Sequence, residues 1–156
     1  MNNLSKAFYV FLISMVPVVE LRGAIPVGFA AGLPWYWSFI PAVIGNLLPV
    51  PFILLFICRI VSWLERKGYM KWATDFLERK VRKNAHKVQK YTTWGLMLFV
   101  AIPLPGTGAW TGALIAAFLG IEMKKALPTI AAGVVCAGLI MSVAIYGAVG
   151  FLKFLL

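Results

Sequence analysis

The sequence is short of charge. Only 13% of its 156 residues are Asp, Glu, Lys or Arg, and just five are acidic. A water-soluble domain of this length needs a polar surface that so few charges do not supply. Cysteine is limited to Cys58 and Cys136. Each lies in an apolar run with no CxxC spacing and no histidine neighbour, so both read as small core hydrophobes. His86, the only histidine, sits among Lys83, Lys87 and Lys90 and reads as a solvated surface residue. The raw material for a metal centre, a nucleophilic triad or a paired-carboxylate site is missing. The expectation is therefore a protein that is not an enzyme and holds no metal and no cofactor. Ten-residue stretches of alternating apolar and polar residues are also lacking, which excludes a membrane β-barrel.

Apolar residues are what the chain has. They make up 62% of it, and the mean hydropathy is +0.88. They come in long runs rather than a narrow helical stripe, which places the chain among helical integral membrane proteins. Residues 7–19 are apolar but, at about 1.5 Å per residue, too short for a hydrocarbon core of about 30 Å. They lead into Glu20-Leu21-Arg22-Gly23-Ala24-Ile25-Pro26 and a short apolar run to Leu33. Glu20 and Arg22 interrupt the run, so the segment reads as part of the fold rather than a signal peptide. Pro17, Gly23, Pro26 and Gly28 predict a broken helix here. Residues 34–61 are long enough to span. Pro34 suits the start of that helix, and Trp35, Tyr36 and Trp37 suit an interfacial belt. Pro41, Gly45, Asn46, Pro49 and Pro51 predict a kink near its middle.

The net charge of +10 is concentrated: nine of the fifteen basic residues fall between Arg66 and Lys90. In a membrane chain such a block reads as a cytoplasmic segment, not as a nucleic-acid site. From Met70 to Val88 apolar residues recur every three or four positions, with Asp75–Arg79 and Glu78–Arg82 as acid-first pairs. That pattern predicts an amphipathic helix lying on the membrane surface. Arg79, Lys80, Arg82, Lys83, Lys87 and Lys90 would face lipid headgroups. Residues 94–104 are again short and apolar. The break Pro103-Leu104-Pro105-Gly106-Thr107-Gly108 follows, then a run to Leu119, and residues 126–152 form a second full span.

The two halves repeat in order. Pro17 matches Pro103 and Ala30-Ala31 matches Ala116-Ala117 at an offset of 86; Pro41 matches Pro128 one position further on. If each short pair of arms is a re-entrant hairpin, eleven basic residues from Arg66 to Lys125 lie in the cytoplasm and only Lys6 and Lys153 outside. If residues 93–121 spanned fully, Lys124 and Lys125 would lie outside, against the positive-inside rule. The expected fold is therefore an all-α integral membrane protein of two inverted repeats. Each repeat is a re-entrant helical hairpin followed by a transmembrane helix, and a basic amphipathic helix joins them. The single membrane domain, 1–156, divides into hairpin 1–33, span 34–62, cytoplasmic helix 63–92, hairpin 93–122 and span 123–156. Inverted repeats with broken helices form transport sites where the breaks meet.

Ionisable groups at membrane depth point to function by default. Glu20 could carry a coupling proton or face a cation. Arg22 could hold phosphate, sulfate or carboxylate through its planar donors. The two could instead neutralise each other, or Arg22 could cap carbonyls freed by the break. Helix starts after Pro26 and Gly108 would suit an anion. The expected site therefore comprises Glu20, Arg22, Gly23 and Pro26 from the first break, with Pro103, Pro105, Gly106, Thr107, Gly108, Trp110 and Thr111 from the second. Asn46, polar in mid-span, suits either a helix–helix hydrogen bond or the ligand.

At its two motifs, Pro17-x-x-Glu20-Leu21-Arg22-Gly23-Ala24-Ile25-Pro26 and Pro103-Leu104-Pro105-Gly106-Thr107-Gly108-Ala109-Trp110-Thr111-Gly112, the sequence resembles the prokaryotic small multidrug export family. That family is distinct from the small multidrug resistance transporters, which have four plain spans. The hairpin–span plan also resembles the DedA, or VTT-domain, superfamily. This second resemblance implies movement of undecaprenyl phosphate or phospholipids coupled to an ion gradient. The superfamily pattern has acidic residues in the first hairpin and arginines in the second. Glu20 fits the acidic place, while the one hairpin arginine, Arg22, lies in the first.

The leading expectation is an ion-coupled transporter or lipid flippase in a prokaryotic cytoplasmic membrane. Protons or sodium would drive it and membrane lipids would be its partners. Gly133–Gly138 and Gly147–Gly150 could support a homodimer. A small-cation multidrug exporter and a non-transporting membrane scaffold are the alternatives.

Overall fold

A computed structural model describes residues 2–67, 85–104 and 106–148. The described residues contain helices and no strand: α1 Asn3–Met15, α2 Glu20–Ala30, α3 Trp35–Leu47, α4 Val50–Arg66, α5 Ala85–Ala101, α6 Ala109–Phe118 and α7 Met123–Ser142. A π-helical turn, Val143–Gly147, extends α7. Helix α3 runs on into α4 through a short turn at Leu48 and Pro49, the site of the expected kink, where prolines 49 and 51 cannot donate to the preceding turn. Among the described residues, two stretches are long and apolar enough to cross a membrane, Trp35–Ile57 and Met123–Gly147.

The halves repeat more features than their sequences suggest. Helix α1 packs on α2 and α3, α2 on α3; correspondingly α5 packs on α6 and α7, and α6 on α7. Lys6, in the first turn of α1, donates to the carbonyl of Ala31 at the end of α2 (2.6 Å), so these two helices run side by side in opposite directions. Both α2 and α6 end in the same glycine turn. Leu33 N–H bonds to Gly28 O (3.0 Å) and Gly32 N–H to Phe29 O (2.9 Å). Ile121 N–H bonds to Ala116 O (2.9 Å) and Gly120 N–H to Ala117 O (3.1 Å). Gly32 and Gly120 take positive φ there, +76° and +64°, as this helix ending requires. The span of each half crosses its first arm at a glycine. A β-carbon on Gly45 would strike the Phe11 carbonyl, and one on Gly133 would lie 2.8 Å from the Met97 carbonyl.

The packing suits a membrane. The interior is built from small residues, including Ala24, Ala42, Ala109, Ala113, Ala116 and Ala126, with Leu21, Ile25, Leu54, Ile130 and Val134 between them. Small residues let helices approach closely where water does not drive association. The outward faces carry Phe8, Tyr9, Ile40, Ile44, Phe52, Phe56 and Val143, all exposed, as suits faces turned to lipid.

Several boundaries differ from expectation. The first break is Val16–Val19, and Pro26 lies inside α2 rather than ahead of a helix start. Its ring leaves the Arg22 carbonyl without an i+4 donor, a defect that neighbouring protein can re-satisfy in membrane helices. Helix α5 begins at Ala85, well before the expected residue 94, so the last turn of the predicted basic helix is continuous with the apolar arm. The rest of that helix, with Arg79, Lys80, Arg82 and Lys83, lies outside the described residues, as do the side chains of Lys87 and Lys90. Cys136 faces outward on α7 rather than into the core; the Cys58 side chain lies outside the described residues.

Candidate functional site

The site is where the first turn of α2 meets the break between α5 and α6. Pro17 and the β-branched Val16, Val18 and Val19 do not continue α1. The chain turns with Val18 at φ +76° and Glu20 at φ +50°. Positive φ is uncommon for any residue with a β-carbon and a genuine outlier for valine; such strain clusters at functional sites. Gly106, 86 positions after Glu20, also has positive φ (+84°). The two breaks therefore bend at matching places, one at a glycine and the other at the acid.

A helix break exposes two unlike ends. The carbonyls at the end of α5 are electron-rich, and the amides at the start of α6 are electron-poor. Glu20 and Arg22 match them one to one. The Trp110 amide donates to Glu20 Oε1 at 3.2 Å, and the Ala109 amide faces the same carboxylate. Arg22 Nη2 donates to Ile102 O (3.1 Å), to Val100 O (3.4 Å) and to Thr107 Oγ1 (2.9 Å). The Thr107 hydroxyl in turn lies 2.7 Å from Ile102 O and 3.0 Å from Leu104 O, so it accepts from Arg22 and donates back into the break. Arg22 Nη1 and Glu20 Oε2 are 3.5 Å apart. Both readings of Arg22 as a structural group hold together: it neutralises Glu20 and caps freed carbonyls.

The cluster is buried. Glu20 is 4% exposed and the Arg22 side chain 12%. Gly108 makes room for it, because Glu20's carboxylate fills the space a β-carbon on Gly108 would take. Some polar capacity is left over. Glu20 Oε2, Arg22 Nε and Trp110 Nε1 are buried without a hydrogen bond among the described residues.

The other expected residues are placed as follows. Gly23 follows Arg22 in α2, and its N–H bonds to Val19 O (2.9 Å). Pro103 and Thr111 are half-buried and Gly106 is exposed, while Pro105 lies outside the described residues. Asn46 is 1% exposed, and neither end of its amide is hydrogen-bonded among the described residues, so it joins neither a helix partner nor the Glu20 cluster.

A family model for "Putative small multi-drug export protein" matches residues 20–140. The chain belongs to this small multi-drug export family. No curated protein matches it, and no solved structure does. The family's export description and the two apolar spans make this a membrane protein of a transport family. The family match starts at Glu20 and runs through both sides of the cluster.

A second polar group was not legible as a unit. Ser38 and Tyr146 share a hydroxyl hydrogen bond of 2.7 Å, and Tyr146 also donates to Leu33 O at 2.9 Å. It ties α3, the π-helical turn and the end of α2 together. Its signal was present in the sequence: Ser38 and Tyr146 are polar groups in apolar spans, as Asn46 is.

Proposed function

We propose that this export-family chain is an ion-coupled transporter that handles a phosphate-bearing or other anionic group where α2 meets the α5–α6 break. In this reading α1–α2 and α5–α6 are re-entrant hairpins entering from opposite faces, in a DedA-like inverted repeat. Residues 63–92 lie in the cytoplasm, where their basic residues gather anionic lipids. Glu20 is the coupling acid, for a proton or sodium, and Arg22 is the anion contact. An anionic lipid is the favoured substrate.

One observation supports this above others. The two ionisable groups of the first half bond to both exposed helix ends of the second, so any change at Glu20 or Arg22 is felt across both halves. Transporters commonly place their site between broken helices of related repeats. Flux by purified protein in liposomes tests it. Glu20→Gln is expected to abolish ion-driven flux of an anionic lipid; undiminished flux overturns the role of Glu20.

The family description favours a second reading, export of small organic cations. A buried acid is the group such a cation would need. That reading predicts resistance to quaternary ammonium compounds that depends on Glu20 and survives Arg22→Gln.

A further inference from the structure

The start of α6 is already occupied by a carboxyl group, that of Glu20. Its carboxylate accepts from the Trp110 amide and lies against Gly108, which leads into the helix. It is nine-tenths buried with Oε2 short of a hydrogen bond, and two further buried donors, Arg22 Nε and Trp110 Nε1, stand unused among the described residues. The amides of α6 and Arg22 thus already seat one carboxyl group.

Charge limits this seat to one anion at a time. The α6 N-terminus is worth roughly +0.5 of an elementary charge, and Arg22 adds a full positive charge. With Glu20 ionised, the sum is about +0.5. A second anion beside it would turn this to about −0.5 in a buried place, which is costly. Among the described side chains no other titratable group is in position to compensate: on α4, Arg59 and Arg66 are exposed, and the Tyr146 hydroxyl is engaged by Leu33 O. Helix α1 has Lys6, engaged by Ala31 O, and Tyr9, exposed. Helix α3 has Tyr36 and α7 has Lys124, Lys125 and Cys136, all exposed. Among the described residues, helix α6 and the break bring no titratable side chain, their polar groups being amides, the Trp110 indole and the hydroxyls of Thr107 and Thr111.

Building on the transporter reading above, we propose that the Glu20 carboxylate and the substrate's anionic group take turns in this one seat, so that each anion enters with one proton. Glu20 takes up the proton, leaves the amides of α6 as a neutral acid and admits the anion to them and to Arg22. When the anion departs, Glu20 releases the proton and returns. Only an O–H bond forms and breaks. Coupling is thus competition for a shared helix end, and it needs no movement relayed from elsewhere. The ligand chemistry is an oxyanion, free or borne on a lipid.

The experiment measures binding of dimethyl phosphate and of a short-chain phosphatidylglycerol, phosphodiesters that keep one negative charge throughout the pH range used, to the purified full-length chain in detergent. Proton uptake is followed in weakly buffered solution at neutral and mildly acidic pH. The wild-type chain is expected to bind better at acidic pH and to take up one proton per anion. Glu20→Gln should bind equally at both pH values without proton uptake, and at neutral pH roughly tenfold tighter than wild type. Gly108→Ala, whose β-carbon fills the seat, should bind at neither. Trp110→Phe should weaken binding yet keep the proton count, and it serves if Gly108→Ala fails to fold. Binding of dimethyl phosphate, of the lipid, or of both with this pattern supports the proposal and names the source. Loss of anion binding in folded Glu20→Gln, or an unchanged pH dependence there, overturns it. The transporter reading fails separately, through the absence of ion-driven liposome flux by the wild-type chain.

Discussion

The carboxylate of Glu20 lies in the space that a β-carbon on Gly108 would occupy. The acid of the first half and the glycine of the second thus fit together, and each constrains the other. Gly108 precedes α6 with φ −88°, so its role is space rather than backbone freedom. Gly108→Ala is expected to destabilise the protein by about 1–3 kcal/mol through overpacking and to displace Glu20. Unfolding in micelles measures the first effect. Wild-type stability in the variant would show that the carboxylate is not held there.

Arg22 and Glu20 should behave as one unit. Removing only Arg22 leaves a buried carboxylate and the α5 carbonyls uncompensated. Breaking a buried pair in this way costs about 3–5 kcal/mol. Arg22→Gln should therefore be severe. Glu20→Gln with Arg22→Gln should cost less than the sum of the single changes, with an interaction of about 0.5–3 kcal/mol. A double-mutant cycle on unfolding gives that number directly, and additive losses would dissolve the pair.

How much of this was visible in the residues depends on whether the signal was local. The acid and the arginine stood out because nothing else in the first apolar stretch is charged, and the second break because Pro103, Gly106 and Gly108 crowd together. The sequence pattern puts the start of α2 after Pro26, several residues later than Glu20, where the helix begins. Pro26 looked like a helix breaker, but in a packed membrane helix a proline can sit in the interior, and the turn is made by strained Val18 and Glu20. Backbone strain leaves no mark in composition. Nor did sequence spacing say that Glu20 would serve the start of α6, ninety residues away from Trp110. That match depends on how the halves dock, which no local pattern encodes.

Thr107 should tolerate serine and not valine. Its hydroxyl accepts from Arg22 at 2.9 Å and lies 2.7 Å from Ile102 O. Valine keeps the shape but removes the hydroxyl that links Arg22 to the Ile102 carbonyl, a loss of about 0.5–1.5 kcal/mol. Serine retains the oxygen. Thermal unfolding of the two variants should separate them clearly; equal stability would show that the Thr107 hydroxyl holds nothing.

The matching glycines offer a test of whether the two halves are built alike. Gly45 lets α3 pass the Phe11 carbonyl of α1, and Gly133, 88 positions on, lets α7 pass the Met97 carbonyl of α5. Alanine at either would press on backbone, which cannot yield as a flexible side chain can. Each substitution should destabilise by about 1–3 kcal/mol. Gly95, inside α5, has open space where its β-carbon would go. Gly95→Ala should be stabilising by roughly 0.5–1 kcal/mol, because alanine is the better helix former. Comparing the three in one unfolding assay separates close packing from intrinsic helix preference. If Gly45→Ala and Gly133→Ala behaved like Gly95→Ala, neither crossing would depend on its glycine, and the likeness of the halves would end at the order of their helices.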